Sequence, residues 1–239
     1  MGLILPKQTL SRRKLLQWSG FVGGSFLLNG CSSSWGVSQV NQWTEPLNQT
    51  LQQLMVSQRP IPEFAVNQIE PNSLLINSFN GAPADIDLKT YRLTISGEVN
   101  NPIQLSLGEI QALPMTSMII RHICVEGWAA IVQWGGIRLS DLIKLAQPKD
   151  DVRYVYFKSA DGYYESWDLA ASLHPQTLLA YQKNGEPLPQ DNGAPLRLAS
   201  PIKLGYKQSK WVTEVILTKQ LMPKQGYWED RGYEWFAGL

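Results

Sequence analysis

The sequence predicts an α+β fold of mixed, largely β architecture in a single domain, and three observations lead there. Short apolar runs, several of them alternating, lie between turn signals. The helical stretches among them are brief and sharply capped. No strand–helix–strand periodicity of the kind that builds doubly wound parallel sheets runs through the chain. With 239 residues, 44% apolar, 9 Trp and 9 Tyr, there is material for one large core, which excludes a repeat array or a disordered chain.

The elements follow in order. Thr44-Glu45-Pro46 opens an amphipathic helix over 44–57, whose stripe of Leu47, Leu51, Leu54 and Met55 is expected to pack on the main domain. Residues 59–72, with Pro60, Pro62 and Pro71, form a linker or irregular wrap. Alternation marks a strand over 91–97, and Asn100-Asn101-Pro102 turns it back into a second over 103–105. Ser106 and Glu109 have capping-box spacing for a helix running to Leu113, closed by Pro114. A strand spans 117–125. Ser140 is expected to cap a helix that ends before Pro148, a strand covers 154–157, and Asp168 begins a helix that stops at Pro175. The run 178–182 enters an Asn184-Gly185 hairpin turn, and the last strand covers 211–217.

The first thirty residues form an address. Ser11-Arg12-Arg13-Lys14-Leu15-Leu16 precedes an apolar stretch too short and glycine-rich to span a bilayer, the frame of a twin-arginine signal peptide, whose route carries cargo folded before export. Leu28-Asn29-Gly30-Cys31 resembles a lipobox, which would make Cys31 the lipid anchor of an exported, periplasmic, membrane-tethered lipoprotein. The expected division is thus 1–30 signal peptide, 31–72 tether and N-terminal helix, and 73–239 the functional domain. Removing Lys7, Arg12, Arg13 and Lys14 leaves 17 basic against 20 acidic residues, so no nucleic-acid partner is expected.

Once Cys31 is lipidated or removed, Cys124 stands alone, an odd thiol for an oxidising compartment unless buried or ligated. It ends a strand beside Arg121 and His122, cations that favour a thiolate, with Glu126 two residues on. Zinc fits poorly, since His122 and His174 are the chain's two histidines and no paired ligand spacing exists. A Cys–His hydrolase fits poorly too, because a histidine two residues away on a strand shares a face without reaching in line. His174, before Pro175 at a helix end, suits a structural role.

Arg121-x-x-Cys124-Val125-Glu126-x-Trp128, Asn192-Gly193-Ala194-Pro195-Leu196-Arg197 and Gly205-Tyr206-Lys207-x-Ser209-Lys210, in that order, resemble the sulfite-oxidase-fold molybdopterin-dependent oxidoreductases. The nearest branch is the periplasmic protein-methionine-sulfoxide reductase catalytic subunit, over residues 73–217. The resemblance implies molybdenum held by a molybdopterin, with Cys124 as metal ligand. Cofactor contacts are implied for Asn77, Phe79, Asn80, Gly81, Arg121, Ser159, Asn192, Arg197, Gln208, Ser209 and Lys210. Asn80 and Gly81 depart from the Tyr-Glu of the sulfoxide reductases. Glu126 and Tyr163 are candidates for proton handling or substrate contact, and Trp128 and Trp134 for pocket walls. Where sulfite oxidases follow the ligand with Gly-Asn-Arg-Arg, this chain has Glu126-Gly127-Trp128, which disfavours dianionic sulfite and favours a neutral oxide, small or protein-bound, as substrate. With no C-x-x-C-H and two histidines, electrons are expected from a separate donor such as a membrane haem protein. The rivals are a sulfite oxidase and a non-enzymatic exported lipoprotein that binds ligands in an aromatic groove.

Overall fold

In a computed structural model of the chain, the structure describes residues 57–81 and 83–239. The expected signal peptide, Cys31 and, but for its last residue, the helix expected over 44–57 lie outside the described residues.

Two five-stranded sheets make the domain. The first has the order β2-β1-β10-β5-β6, built from β1 (Arg92–Gly97), β2 (Ile103–Ser106), β5 (Tyr154–Ser159), β6 (Tyr164–Asp168) and β10 (Val212–Thr218). The last strand inserts between the first and the fifth, so β1 and β10 run parallel while every other pair is antiparallel. The second sheet joins β3 (Thr116–Ile123), β4 (Ala129–Arg138), β7 (Leu178–Lys183) and β8 (Glu186–Pro187), with β9 (Arg197–Ala199) pairing the same edge of β7 as β8, opposite β4. The mixed, largely β architecture is as the patterning predicts.

Three short helices close the gaps: α1 (Leu107–Gln111), α2 (Leu139–Leu145) and α3 (Leu169–Ser172). The capping box forms as expected: Ser106 Oγ accepts from Glu109 N at 3.3 Å, and Glu109 Oε2 accepts from Ser106 N at 2.7 Å. Asp168 caps α3 through Ala171 N at 2.7 Å. Ser140 is not a cap; α2 starts one residue earlier, and Ser140 is buried inside its first turn.

No sequence pattern marks β4, β6 or β9. In β4, both faces are buried and a bulge falls at Gly135-Gly136, so the period-two signal is lost. The core centres on Leu93, Ile95, Val155, Phe157, Trp167, Val215 and Leu217 behind the first sheet, and on Met118, Ile120, Val132 and Trp134 behind the second. Residues 57–73 wrap irregularly along β3 and β4. Glu63 and Glu70 accept the backbone N–H of Ile119 and Ile131 at 2.9 and 2.8 Å, which caps strand edges that would otherwise be open.

Candidate active site

The end of β3, the start of β9, the segment leading into β10 and the β5–β6 turn converge on a cleft of about 930 Å³, measured out to its open mouth. Cys124 sits in the β3–β4 hairpin turn, fixed by Cys124 N donating to Trp128 O at 2.9 Å and Gly127 N donating to Cys124 O at 3.2 Å. Glu126 in the same turn organises this side: its carboxylate accepts from Asn77 Nδ2 at 2.9 Å and Trp128 Nε1 at 2.9 Å, and Cys124 Sγ lies 3.6 Å away.

The cations expected to activate Cys124 do not do so. β3 alternation turns Arg121 away from the cleft, where its guanidinium lies 5.1 Å from the Phe64 ring centroid. His122 faces the cleft, but burial, aided by Arg197, lowers its pKa to about 3, so it is neutral. Burial, with the Glu126 charge beside it, raises the Cys124 pKa. Cys124 is therefore a resting thiol rather than a primed nucleophile, and a soft metal ion is what would take its proton. Among the described residues no group of three His, Cys, Asp or Glu could hold a metal ion, so a metal at Cys124 must arrive with further ligands of its own.

Opposite Cys124 is a cationic floor. Arg197 is 5% exposed, stacks 4.6 Å from the Trp134 ring centroid and donates to the carbonyls of Asn192 at 3.0 Å and Leu198 at 3.2 Å. Among the described residues no carboxylate pairs with it. Burial pushes its pKa down to about 9, and burial together with Arg197 pushes Lys210 down to about 8. Lys210 Nζ donates to the carbonyls of Asn77 and Asp191 and lies over the Trp211 ring. A buried guanidinium without a paired carboxylate, with a half-buried ammonium that Asp161 and Asp191 only partly offset, favours an anion in the cleft. The backbone is shaped for close approach: Gly193 has φ +111°, and a Cβ there would lie 2.8 Å from Lys210 Cβ and 3.1 Å from Arg197 Cβ. A Cβ on Gly205 would meet His122 Nε2 at 2.9 Å. Ser209 Oγ is buried without a hydrogen-bond partner.

Of the residues singled out from the sequence, Asn77, Phe79, Cys124, Glu126, Trp128, Tyr163, Asn192, Arg197, Gln208, Ser209 and Lys210 line the cleft together. The others do not. Arg121 faces away for the reason above. Asn80 and Gly81 stand outside the lining, because the turn closed by Gly81 N to Ser78 O presents Phe79 instead. Ser159 is buried beside a neighbouring cavity bordered by Tyr156, Tyr164 and Met222. Tyr163 gives its hydroxyl proton to Tyr206 O at 2.6 Å, and burial drives its pKa far up, so it serves as an aromatic wall rather than a proton carrier. The Gln208 side-chain amide is engaged with the backbone of Ser200 and Lys203, which holds its own loop. His174 is structural, but as a buried ring kept neutral by burial, with Nδ1 accepting from Gln176 N at 3.2 Å.

Sequence reasoning missed Leu74, Leu75, Asp161, Trp211, Trp228 and Tyr233, which also line the cleft. The available signal was the aromatic density of Tyr227, Trp228, Tyr233, Trp235 and Phe236 beyond the last strand, more than a solvated tail requires.

A single thiol facing a buried, unpaired guanidinium across a largely β fold suits a domain that carries an anionic cofactor. The chain belongs to the oxidoreductase molybdopterin binding domain family, whose model matches residues 80–228, and is accordingly an oxidoreductase with a molybdopterin cofactor. It is 35% identical over 232 residues to a putative protein-methionine-sulfoxide reductase subunit of Azospira oryzae, covering 95% of this chain and 88% of that one. It is 33% identical over 184 residues to the protein-methionine-sulfoxide reductase catalytic subunit of Xanthomonas campestris pv. campestris, covering 70% of this chain and 54% of that protein, so it spans about half of that relative's length. The fold is shared with the sulfane dehydrogenase SoxCD of Paracoccus pantotrophus at a TM-score of 0.55 and 21% identity, over 61% of this chain and 46% of that one.

Proposed function

We propose that this chain is the catalytic subunit of an exported molybdenum enzyme that reduces organic sulfoxides. The observation that carries this is the pairing of an unactivated Cys124 with a buried Arg197 that no carboxylate pairs with among the described residues, beside the half-buried Lys210. The cleft residues fit a phosphorylated pterin: two cations for the phosphate, the partnerless Ser209 hydroxyl, and Gly193, whose missing side chain lets Arg197 and Lys210 pack against the backbone. When bound, the pterin-chelated molybdenum supplies two-electron oxygen-atom transfer. Overall, a sulfoxide, two protons and two electrons give a thioether and water.

The chain's own residues divide the remaining work. Cys124 offers its sulfur as the protein ligand. Arg197, Lys210, Ser209 and Asn192 hold the pterin, and Glu126 fixes Asn77 and Trp128 around the ligand turn. Beside the Glu126 carboxylate a sulfite dianion meets charge repulsion, whereas a neutral sulfoxide does not. With Arg121 turned outward and Arg197 and Lys210 committed to the cofactor, no further cation in the cleft lining compensates that repulsion. Export and a lipid anchor at Cys31 are part of the proposal, supported by the arginine pair and the lipobox-like residues. So is a separate electron donor, supported by the scarcity of haem ligands.

Assaying sulfoxide-dependent oxidation of a reduced dye against sulfite-dependent reduction of an acceptor tests this reading. Turnover with sulfoxide is expected to exceed that with sulfite by about 100-fold in kcat/KM. A preference for sulfite overturns it in favour of a sulfite oxidase, and no turnover with either favours a binding protein.

The cofactor floor gives a second expectation. Gly193→Ala places a methyl group between Lys210 and Arg197 at a backbone angle that disfavours side chains. Pterin retention is expected to weaken about tenfold or more. Pterin released from purified protein measures this, and parental retention in the variant would contradict the assigned floor.

A further inference from the structure

We infer that the C-terminal segment, residues 219–239, is a fixed aromatic wall of the cleft that selects substrates by the organic group attached to the oxidised sulfur. This inference rests on the sulfoxide reading above and names the part of the chain that enforces it. About half of the segment, residues 229–239, lies beyond the residues matched by the family model.

Trp228 and Tyr233 from this segment line the cleft together with Phe79 and Tyr163. The rings form one connected set. Trp228 and Tyr233 centroids are 5.2 Å apart, Tyr206 and Tyr233 5.5 Å, Tyr227 and Trp228 5.1 Å, and Phe79 lies 4.4 Å from Tyr227 and 5.6 Å from Tyr163. Such spacings are those of favourable tilted and edge-to-face aromatic pairs. Tyr233 nevertheless stays 41% exposed, so it is not spent on core packing.

The segment is riveted in place. Glu229 Oε1 meets the fully buried Lys207 Nζ at 2.5 Å, Tyr164 Oη donates to Asp230 Oδ2 at 2.6 Å, and Tyr206 Oη donates to Glu234 O at 2.6 Å. Trp235 Nε1 donates to Ser166 Oγ at 2.8 Å, and the buried Lys203 Nζ donates to Phe236 O at 2.5 Å. Glu229, Trp235 and Phe236 thus point inward as anchors while Trp228 and Tyr233 face the cleft. A loose tail would not hold aromatic rings at a site; this one does.

Sulfur in a sulfoxide carries partial positive charge, and its attached carbons are polarised likewise. Both are attracted to aromatic faces, as cations and thioethers are. An inorganic oxide or a very small sulfoxide offers the wall little to hold. The wall therefore favours sulfoxides bearing a sizeable apolar substituent.

The test compares the full-length holoenzyme with Tyr233→Ala, Trp228→Ala and the ring-retaining Tyr233→Phe, using methyl phenyl sulfoxide and dimethyl sulfoxide, with released pterin measured for each protein. KM for methyl phenyl sulfoxide is expected to rise about tenfold in the two alanine variants with kcat within about threefold, and KM for dimethyl sulfoxide to rise less than about threefold. Tyr233→Phe should follow the parent on both substrates. Unchanged KM, an equal rise for both substrates, or loss of pterin from the alanine variants overturns the wall. A parent that reduces neither sulfoxide overturns the sulfoxide reading and this inference with it.

Discussion

Replacing Cys124 with alanine is expected to lower turnover by about 1,000-fold or more, equivalent to about 4 kcal/mol of lost transition-state stabilisation, while leaving the fold in place. The side chain is only partly buried, and its recorded polar contact is the 3.6 Å approach to Glu126 Oε2. Truncation therefore opens no sealed core cavity, and stability should change by less than about 1 kcal/mol. The sulfur matters for what it can bind. Burial and the neighbouring carboxylate keep it protonated, and neither Arg121 nor His122 offsets them, so a metal-free mechanism in which this thiol attacks substrate has no driving force here. Circular dichroism and thermal melting report the fold, and steady-state turnover reports the function. Parental activity in Cys124→Ala would remove this residue from the chemistry.

Replacing Lys207 with methionine is expected to cost about 3–5 kcal/mol of stability, seen as a fall in Tm of about 10 °C. Lys207 is fully buried and contacts both Glu165 Oε1 and Glu229 Oε1 at 2.5 Å, so one ammonium serves two carboxyl groups. Burial, with the charge of Glu229 adding to it, pushes the Glu165 pKa well up against the attraction of Lys207. Without Lys207, the cluster has two acids facing each other in a dry interior. Glu165→Gln mimics the protonated form and is expected to change stability by less than about 1 kcal/mol. The sign with pH also follows. The folded protein holds the Glu165 proton to higher pH than the unfolded chain does, so this group's contribution is complete below the ordinary carboxylate range and is lost as pH rises above it. Tm measured against pH should fall less steeply in Glu165→Gln than in the parent. An equal slope, or a Lys207→Met protein as stable as the parent, would contradict this arrangement of charges.

Much of the site was legible in the sequence because its chemistry is carried by compact segments: Cys124 with Glu126, Asn192 with Arg197, and Ser209 with Lys210 each come from one short stretch. What could not be read was orientation. Arg121 and His122 are neighbours of equal apparent promise, and only the parity of β3 decides that the neutral histidine faces the cleft and the cation faces Phe64. Ser159 and Tyr163 likewise depended on the β5–β6 hairpin, half of which carried no alternation because β6 is mostly buried. The C-terminal wall was illegible for a different reason. Its residues are held by buried side-chain anchors rather than by regular secondary structure, and such anchoring has no sequence period.

The central claim is that Cys124 is a ligand of a pterin-bound molybdenum ion. Elemental analysis, with identification of the released pterin, on full-length protein made in a host that synthesises this cofactor tests it most directly. About one molybdenum per chain, accompanied by a phosphorylated pterin and lost in Cys124→Ala, is the expected result. Less than about 0.1 molybdenum per chain in the parent, or full loading in the variant, would contradict it.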